Sequence, residues 1–323
     1  MAAQEPVFQI AHISDLHCGG PHFMPSLMER AIGEINDLQP DIVVCSGDLT
    51  TFGFKQEFAQ AKAYLERIEC ESLVVVPGNH DSRNVGYLHF EELFGERNSV
   101  LNKDGVTVVA VDSSEPDLDH GQIGRIQYRW IEEQFAGNSD LRIFVLHHHL
   151  LPVPGTGRER NIVYDAGDLI ECLQGAGVNL VLSGHKHVPY AWKLEDLFVV
   201  NTGTVSSLRL RGKTRPCYNV IEIVRDLDAV VLPAVQLLGA PDEPRSGEVV
   251  GQRGESISHD RPVMLTVDDR DRPHPCDVTS VSMRAVYFSK ASVSVENWMI
   301  RSCPWKGYLR QTSTWVPTIS ITL

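Results

Sequence analysis

The sequence is short of several features that would have classified it directly. It has seven cysteines, at 18, 45, 70, 172, 217, 276 and 303, but no CxxC pair. Neither a disulfide framework nor a thiolate zinc site is indicated, and most of the seven read as small buried hydrophobes. There is no N-x-[ST] sequon, no His-Glu-x-x-His signature, and no apolar run near the ~20 residues that span a bilayer. Met1 to Pro6 carries no basic residue, and the apolar stretch after it is broken by His12 and Asp15, so a signal peptide does not fit. A cytoplasmic chain with no membrane partner is expected. Positive charge is scarce as well: 29 Lys and Arg against 42 Asp and Glu give a formal charge of −13. Such a chain has no basic face able to neutralise many phosphates of a long nucleic acid.

What is present is a chain of 323 residues, 42% hydrophobic and 22% charged, long enough for one large core and something smaller beside it. It also has thirteen histidines, eleven of them before residue 188. From the N-terminus, short aliphatic runs alternate with amphipathic stretches as in βαβ units, which predicts a layered α/β fold. Strands are expected at Phe8 to Ser14, Asp41 to Ser46, Leu73 to Val76, Val106 to Val111, Leu141 to Leu146 and Val178 to Ser183. Helices are expected at Ser26 to Leu38, Lys55 to Ile68 and Ile123 to Phe135. Strand-like segments at Tyr190 to Leu194, Phe198 to Asn201 and Tyr218 to Val224 then suggest a sheet finishing antiparallel. After Arg225 the pattern weakens, and Gly, Pro, Arg, Asp and Ser crowd Gly239 to Gly254. The reading is therefore a catalytic domain over 1–225 and a poorly patterned C-terminal extension over 226–323. That extension carries Trp298, Trp305 and Trp315 and reads as a small accessory β-element, a partner-binding tail, a flexible tail without function, or the product of an altered reading frame.

One observation recurs five times: a side chain of metal-ligand type follows directly on an apolar strand. Asp15 and His17 follow the first strand, Asp48 the second, and Asn79 and His80 the third. The run His147, His148, His149 and then the pair His185 and His187 follow two later ones. In an open α/β sheet, sites form beyond the carboxyl ends of the strands, so five strand ends converge on one crevice. Carboxylate, imidazole and carboxamide without thiolate suit Zn, Mn, Fe, Co or Ni, whereas an all-oxygen set would favour Mg or Ca. The seven foremost candidates among these, Asp15, His17, Asp48, Asn79, His147, His185 and His187, exceed the three protein ligands of a catalytic zinc, and two cations sharing a carboxylate use them all. Gly47, Gly78 and Gly184 each precede a candidate, where a missing Cβ allows a sharp turn.

Taken singly these motifs are weak. Taken in order, Asp15-Leu16-His17, Gly47-Asp48, Gly78-Asn79-His80-Asp81, the run at His147 and Gly184-His185-Lys186-His187 resemble the calcineurin-like metallophosphoesterase superfamily over residues 8 to 224. The Ser-Asp-Leu-His, Gly-Asp-Leu-Thr and His-His-x-Leu-Leu-Pro segments look most like the bacterial class III cyclic-nucleotide phosphodiesterases within it. The resemblance implies a four-layer α/β/β/α sandwich. It implies two divalent metal ions, the first held by Asp15, His17, Asp48 and His187, the second by Asp48, Asn79, His147 and His185. A hydroxide between the ions would attack phosphorus in line with the leaving alkoxide. His80 would stabilise the transition state or protonate the leaving oxygen, with Asp81 orienting it.

The sequence departs from the family where three histidines stand in place of one followed by x-Pro. Register favours His147 as the ligand with His148 the alternative, and His148 and His149 are candidates for contact with substrate. The expected activity is hydrolysis of a small phosphodiester, 3′,5′-cyclic AMP first. The alternatives are a glycerophosphodiester, a nucleotide-sugar pyrophosphate, a broad monoester, or a metal-stabilised binding module with no activity. A homodimer is left open. Outside the motifs, His12 reads as a satisfied core histidine and His22 as a loop residue. Arg158 and Arg160 are candidates for a substrate phosphate.

Overall fold

Strand alternation decides which face each residue shows. In β1 (Phe8–Ile13), Phe8 and Ile10 enter one apolar cluster while Ala11 and Ile13 enter another. The same division runs through β2 (Ile42–Cys45), where Ile42 and Val44 part from Val43 and Cys45. A strand buried on both faces must be the middle of a layered structure. The computed structural model describes residues 8–137, 139, 141–154, 156, 162–211, 214–226, 229–232, 235–236, 280–289 and 292–301.

Two sheets carry these layers. In the first, β1 runs parallel to β2, β2 parallel to β3 (Leu73–Val75), and β10 (Tyr218–Asp226) pairs antiparallel with the other edge of β1. In the second, β4 (Ser99–Lys103) lies antiparallel to β5 (Val106–Ala110), which is followed in parallel by β6 (Leu141–Val145), β7 (Leu180–Ser183) and β9 (Leu197–Asn201). β8 (Tyr190–Leu194) closes that sheet antiparallel to β9. Ile10, Val44 and Val74 face Val108, Ile143, Leu182 and Val200 between the sheets. Fully burying each such side chain contributes about 1.5–3 kcal/mol.

Helices close the outer faces. Against the first sheet lie α1 (Pro25–Leu38), α2 (Lys55–Leu65) and α3 (Gly86–Phe94), through Met28, Ile35, Phe58 and Phe90. Against the second lie α4 (Arg125–Phe135) and α5 (Ala166–Gly175), through Ile131, Phe135, Leu169 and Leu173. The order is α/β/β/α, the four-layer sandwich expected. No helix among the described residues is long and apolar enough to cross a membrane. Cys18, Cys45, Cys172 and Cys217 are free and buried, small hydrophobes as read.

Three points differ from expectation. First, α3, β4 and α5 were not foreseen. Second, the antiparallel finish expected of the late strands is shared between two sheets: β8 closes the second antiparallel to β9, and β10 crosses to the first, antiparallel to β1. Third, the expected boundary at 225 falls on β10 itself, and the extension adds strands to the same sheet. These are β11 (Ala229–Leu232), β12 (Val235–Gln236) and the hairpin β13 (Ser280–Ser289) and β14 (Ser292–Arg301). Gly239 to Gly254, Trp305 and Trp315 lie outside the described residues, as do Arg158 and Arg160.

Candidate metal centre

The carboxyl ends of β1, β2 and β3 in one sheet meet those of β6 and β7 in the other. Three of these strand ends, those of β1, β2 and β7, deliver their polar residues through an unusual backbone conformation. Asp15 (φ 55°), His17 (φ 53°), Asp48 (φ 52°), His185 (φ 72°) and His187 (φ 56°) all sit in the left-handed region. They make up half of the ten non-glycine residues with positive φ among those described. Such a conformation costs on the order of 1 kcal/mol or more per residue and persists only where surrounding structure enforces it.

The glycines before the motifs act in two ways. Gly47 has φ 96° and makes the turn itself, and a Cβ there would stand 2.7 Å from Gly78 N and from His147 Nδ1. At Gly78 and Gly184 the φ is ordinary and the requirement is proximity. A Cβ on Gly78 would press Asp48 Oδ1, and one on Gly184 would press Ser14 Oγ.

Three overlapping groups of ligand atoms result, each spanning no more than 4.8 Å: Asp15, His17, His187; His17, Asp48, His80; and Asp48, His147, His185. In the first, His17 Nε2 and His187 Nε2 are 2.9 Å apart and Asp15 Oδ1 lies 3.1 Å from His187 Nε2. In the third, Asp48 Oδ2 is 3.3 Å from His147 Nε2, and His185 Nδ1 is 3.3 Å from His147 Nε2 and 3.0 Å from Asn79 Oδ1. Asp48 belongs to both ends. Its Oδ2 lies 3.8 Å from His17 Nε2 while its Oδ1 accepts from the His80 N–H at 2.8 Å.

These residues fit a pair of divalent cations. Asp15 Oδ1 is buried and makes no well-formed hydrogen bond, with His187 Nε2 3.1 Å away as its polar neighbour. Imidazole nitrogens face carboxylate oxygens and each other at spacings where a shared cation satisfies them all. His147 Nδ1 donates to the Ser46 carbonyl at 2.7 Å and His187 Nδ1 to the Arg209 carbonyl, which aims both Nε2 lone pairs into the cluster.

The charges are tightly balanced. Burial would raise the Asp15 carboxyl, but the His187 imidazole outweighs it and holds it below the usual carboxylate range. Burial likewise opposes ionisation of Asp48, and His147 and His80 overcome it. Burial would lower His147, yet Asp48 lifts it to about 9. His17 is lowered to about 3 by burial. A cation entering the site therefore displaces protons from the imidazoles beside the carboxylates.

The remaining candidates separate. His80 lines the cavity above Asp48, and its Nδ1 donates to the Thr51 carbonyl at 2.7 Å. Asp81, expected to orient His80, holds backbone instead. Its carboxylate accepts from Leu49 N, Thr50 N, Thr50 Oγ1 and Gly78 N at 2.8–3.0 Å, tying the second motif to the third. His148 and His149, expected beside substrate, are both fully buried and neither lines the cavity. His148 Nδ1 meets Ser113 Oγ at 2.8 Å, and the His149 ring stacks on His185 at 5.8 Å. His12 is the satisfied core residue expected, with Nε2 2.9 Å from Ser46 Oγ, and His22 is an exposed loop residue.

Several residues at the cavity were missed. Arg83, Asp119, Arg209 and Arg211 line it with the motif residues, around about 250 Å³. Asp119 carries no strand-end signature and approaches Asn79 Nδ2 at 3.3 Å from a loop 40 positions away.

Residues 8–189 match the family model for calcineurin-like phosphoesterases. A probable cyclic nucleotide phosphodiesterase of Rhodococcus erythropolis is 31% identical over 160 residues, 46% of this chain and 52% of the relative. A cAMP/cGMP dual specificity phosphodiesterase of Mycobacterium tuberculosis is 28% identical over 198 residues, 56% of this chain and 62% of the relative. The match thus spans between half and two thirds of the length of these relatives. Among solved structures, a dimetal phosphatase from Danio rerio superposes with a TM-score of 0.54 at 12% identity, covering 68% of this chain and 93% of that one. That likeness concerns the fold.

Proposed function

The chain belongs to the calcineurin-like phosphoesterase family, and on that premise we propose that it is a metal-dependent phosphodiesterase whose substrate is a 3′,5′-cyclic nucleotide, cyclic AMP foremost. The observation that carries the reading is Asp48, a buried carboxylate whose Oδ2 lies between the two ends of one histidine cluster, 3.8 Å from His17 Nε2 and 3.3 Å from His147 Nε2, while the His80 backbone N–H holds Oδ1. The names of the Rhodococcus and Mycobacterium relatives support the choice of substrate class.

Asp15, His17, Asp48 and His187 would hold the first cation, and Asp48, Asn79, His147 and His185 the second. Two divalent cations, when bound, supply Lewis acidity toward the phosphoryl oxygens and an attacking water. The chain's own residues do the rest. Asp81 fixes the loops that carry Asp48 and Asn79, so the shared carboxylate keeps its position as substrate enters. Ser46 and Arg209 carbonyls keep His147 and His187 in the Nδ1–H form. His80 faces the phosphoryl group from the cavity wall. In the overall step the ester P–O bond breaks, the water oxygen takes its place on phosphorus, and the proton given up by water ends on the departing oxygen.

The test is a screen of the metal-reconstituted full chain against cyclic nucleotides, glycerophosphodiesters, nucleotide-sugar pyrophosphates and aryl phosphoesters. The expected result is hydrolysis of cyclic AMP that requires about two transition-metal ions per chain. Asp48→Ala should lose both activity and metal. Activity that survives Asp48→Ala would refute the mechanism, and a flat profile across all substrates would refute the cyclic-nucleotide assignment.

A further inference from the structure

Arg209 stands where three parts of the site meet. Its backbone N–H donates to Ser207 Oγ at 3.1 Å and its carbonyl accepts from His187 Nδ1, which fixes the main chain against a candidate ligand of the first cation. Its guanidinium reaches the opposite way, with Nη1 3.5 Å from His80 Nε2. Both groups line the cavity that also holds Asp48, Asn79 and His185.

Donor and acceptor at this contact are fixed by chemistry. The Thr51 carbonyl only accepts, so His80 Nδ1 carries the hydrogen in their 2.7 Å contact. A guanidinium only donates, so His80 Nε2 is the acceptor toward Arg209. The imidazole then offers no N–H to the cavity, and the N–H groups beside it belong to the Arg209 guanidinium, a planar fork of donors. Arg83, on the same cavity, is neutralised by Asp119 at 2.8 Å. Arg209 makes no ion pair with a carboxylate among the described residues. An exposed guanidinium without a counter-charge, in a chain of net charge −13, is suited to an incoming anion that accepts two parallel hydrogen bonds.

We propose, resting on the phosphodiesterase reading above, that Arg209 is a catalytic residue. Its guanidinium donates to a non-bridging oxygen of the scissile phosphoryl group and stabilises the charge that grows there as the ester bond breaks. His80 is the positioning residue that holds the guanidinium in place. Arg209 neither gains nor loses a proton: water's oxygen replaces the departing oxygen on phosphorus, and water's proton reaches that oxygen through solvent.

The experiment compares the full-length, metal-reconstituted protein with Arg209→Ala and Arg209→Lys. The Ala variant should lower kcat on bis(p-nitrophenyl) phosphate about 100-fold, the loss typical of one preorganised donor. It should weaken binding of inorganic phosphate, measured by calorimetry, about 10-fold, the order of a charged hydrogen bond. Metal content should not change, because the carbonyl that holds His187 remains. Added guanidinium should restore part of the lost rate to the Ala variant but none to Lys. Wild-type kcat and phosphate affinity in Arg209→Ala would overturn the proposal, as would a loss of rate that tracks loss of metal and resists guanidinium rescue. Should the wild type hold two metals yet hydrolyse no phosphodiester, the phosphodiesterase reading fails, and the phosphate calorimetry still decides whether Arg209 binds the anion.

Discussion

At the residue scale, His12 shows how burial couples to pH. It is wholly enclosed beside Ser46 and Asn219, and burial lowers its imidazole from 6.5 to about 3. The unfolded chain takes up this proton as pH falls below about 6.5, the folded chain only toward about 3. The contribution of His12 to stability is therefore whole above about pH 6.5 and is lost as pH falls toward 3, at no more than about 1.4 kcal/mol per pH unit. An NMR titration of the His12 ring is expected to show no protonation down to pH 4, and a midpoint near 6 would disprove the assignment. At the same scale, the seven ligand candidates were legible because each is a side chain of distinctive type at a strand end. What orients them was not. The carbonyls of Ser46, Thr51 and Arg209 set three imidazoles, and a carbonyl has no signature in a sequence because every residue has one. His148 and His149 misled for the converse reason. Their identity suggested chemistry, whereas the bend that follows β6 buries both, His148 against Ser113 and His149 against His185.

At the element scale, the strands that were foreseen are runs of aliphatic residues buried on both faces, which need no pattern beyond hydrophobicity. β4 escaped because it is an edge strand, Ser-Val-Leu-Asn-Lys, with no fully buried residue. α3 begins at Gly86, spans nine residues and has no side-chain cap, so neither start signal nor length marked it. Gly167 and Gly175 blurred α5 in the same way. The β13 and β14 segments do alternate apolar and polar residues over Ser280 to Ala285 and Ser292 to Val295, a period-two signal that the crowded stretch before them obscured. α3 nevertheless has a strong anchor. Phe90 is fully buried among Phe58 and Phe94, with ring centroids at 6.3 and 5.2 Å. Phe90→Ala should cost about 3–5 kcal/mol by chemical denaturation. Leu88→Ala, on the exposed side of the same helix, should stay within about 0.5 kcal/mol. Equal effects would mean that α3 does not pack as described.

At the scale of the whole molecule, the two sheets are joined by apolar contact between their faces and by the cluster at their common edge. Asp15, Asp48 and Asn79 come from one sheet, His147, His185 and His187 from the other. A cation bound there ties sheet to sheet, and it stabilises only the folded chain. Saturating Mn or Zn should therefore raise the thermal midpoint, by the equivalent of about 4 kcal/mol when free metal exceeds its Kd a thousandfold. Chelation should reverse the gain, and Asp48→Ala should show no response. A midpoint indifferent to metal in the wild type would mean that the cluster is not a cation site under those conditions.

The left-handed backbone at Asp15, His17, Asp48, His185 and His187 has a consequence for descent. Each of those positions would be more comfortable as glycine or asparagine, so the fold subsidises its own chemistry. On the proposed phosphodiesterase reading, selection for that chemistry would keep the five in place. In a lineage released from that selection, substitutions there would relieve strain and raise stability while the sandwich stayed intact. Decay of the centre should thus begin at these five positions and leave Asn79 and His147, whose backbones are unstrained, as the last trace of it.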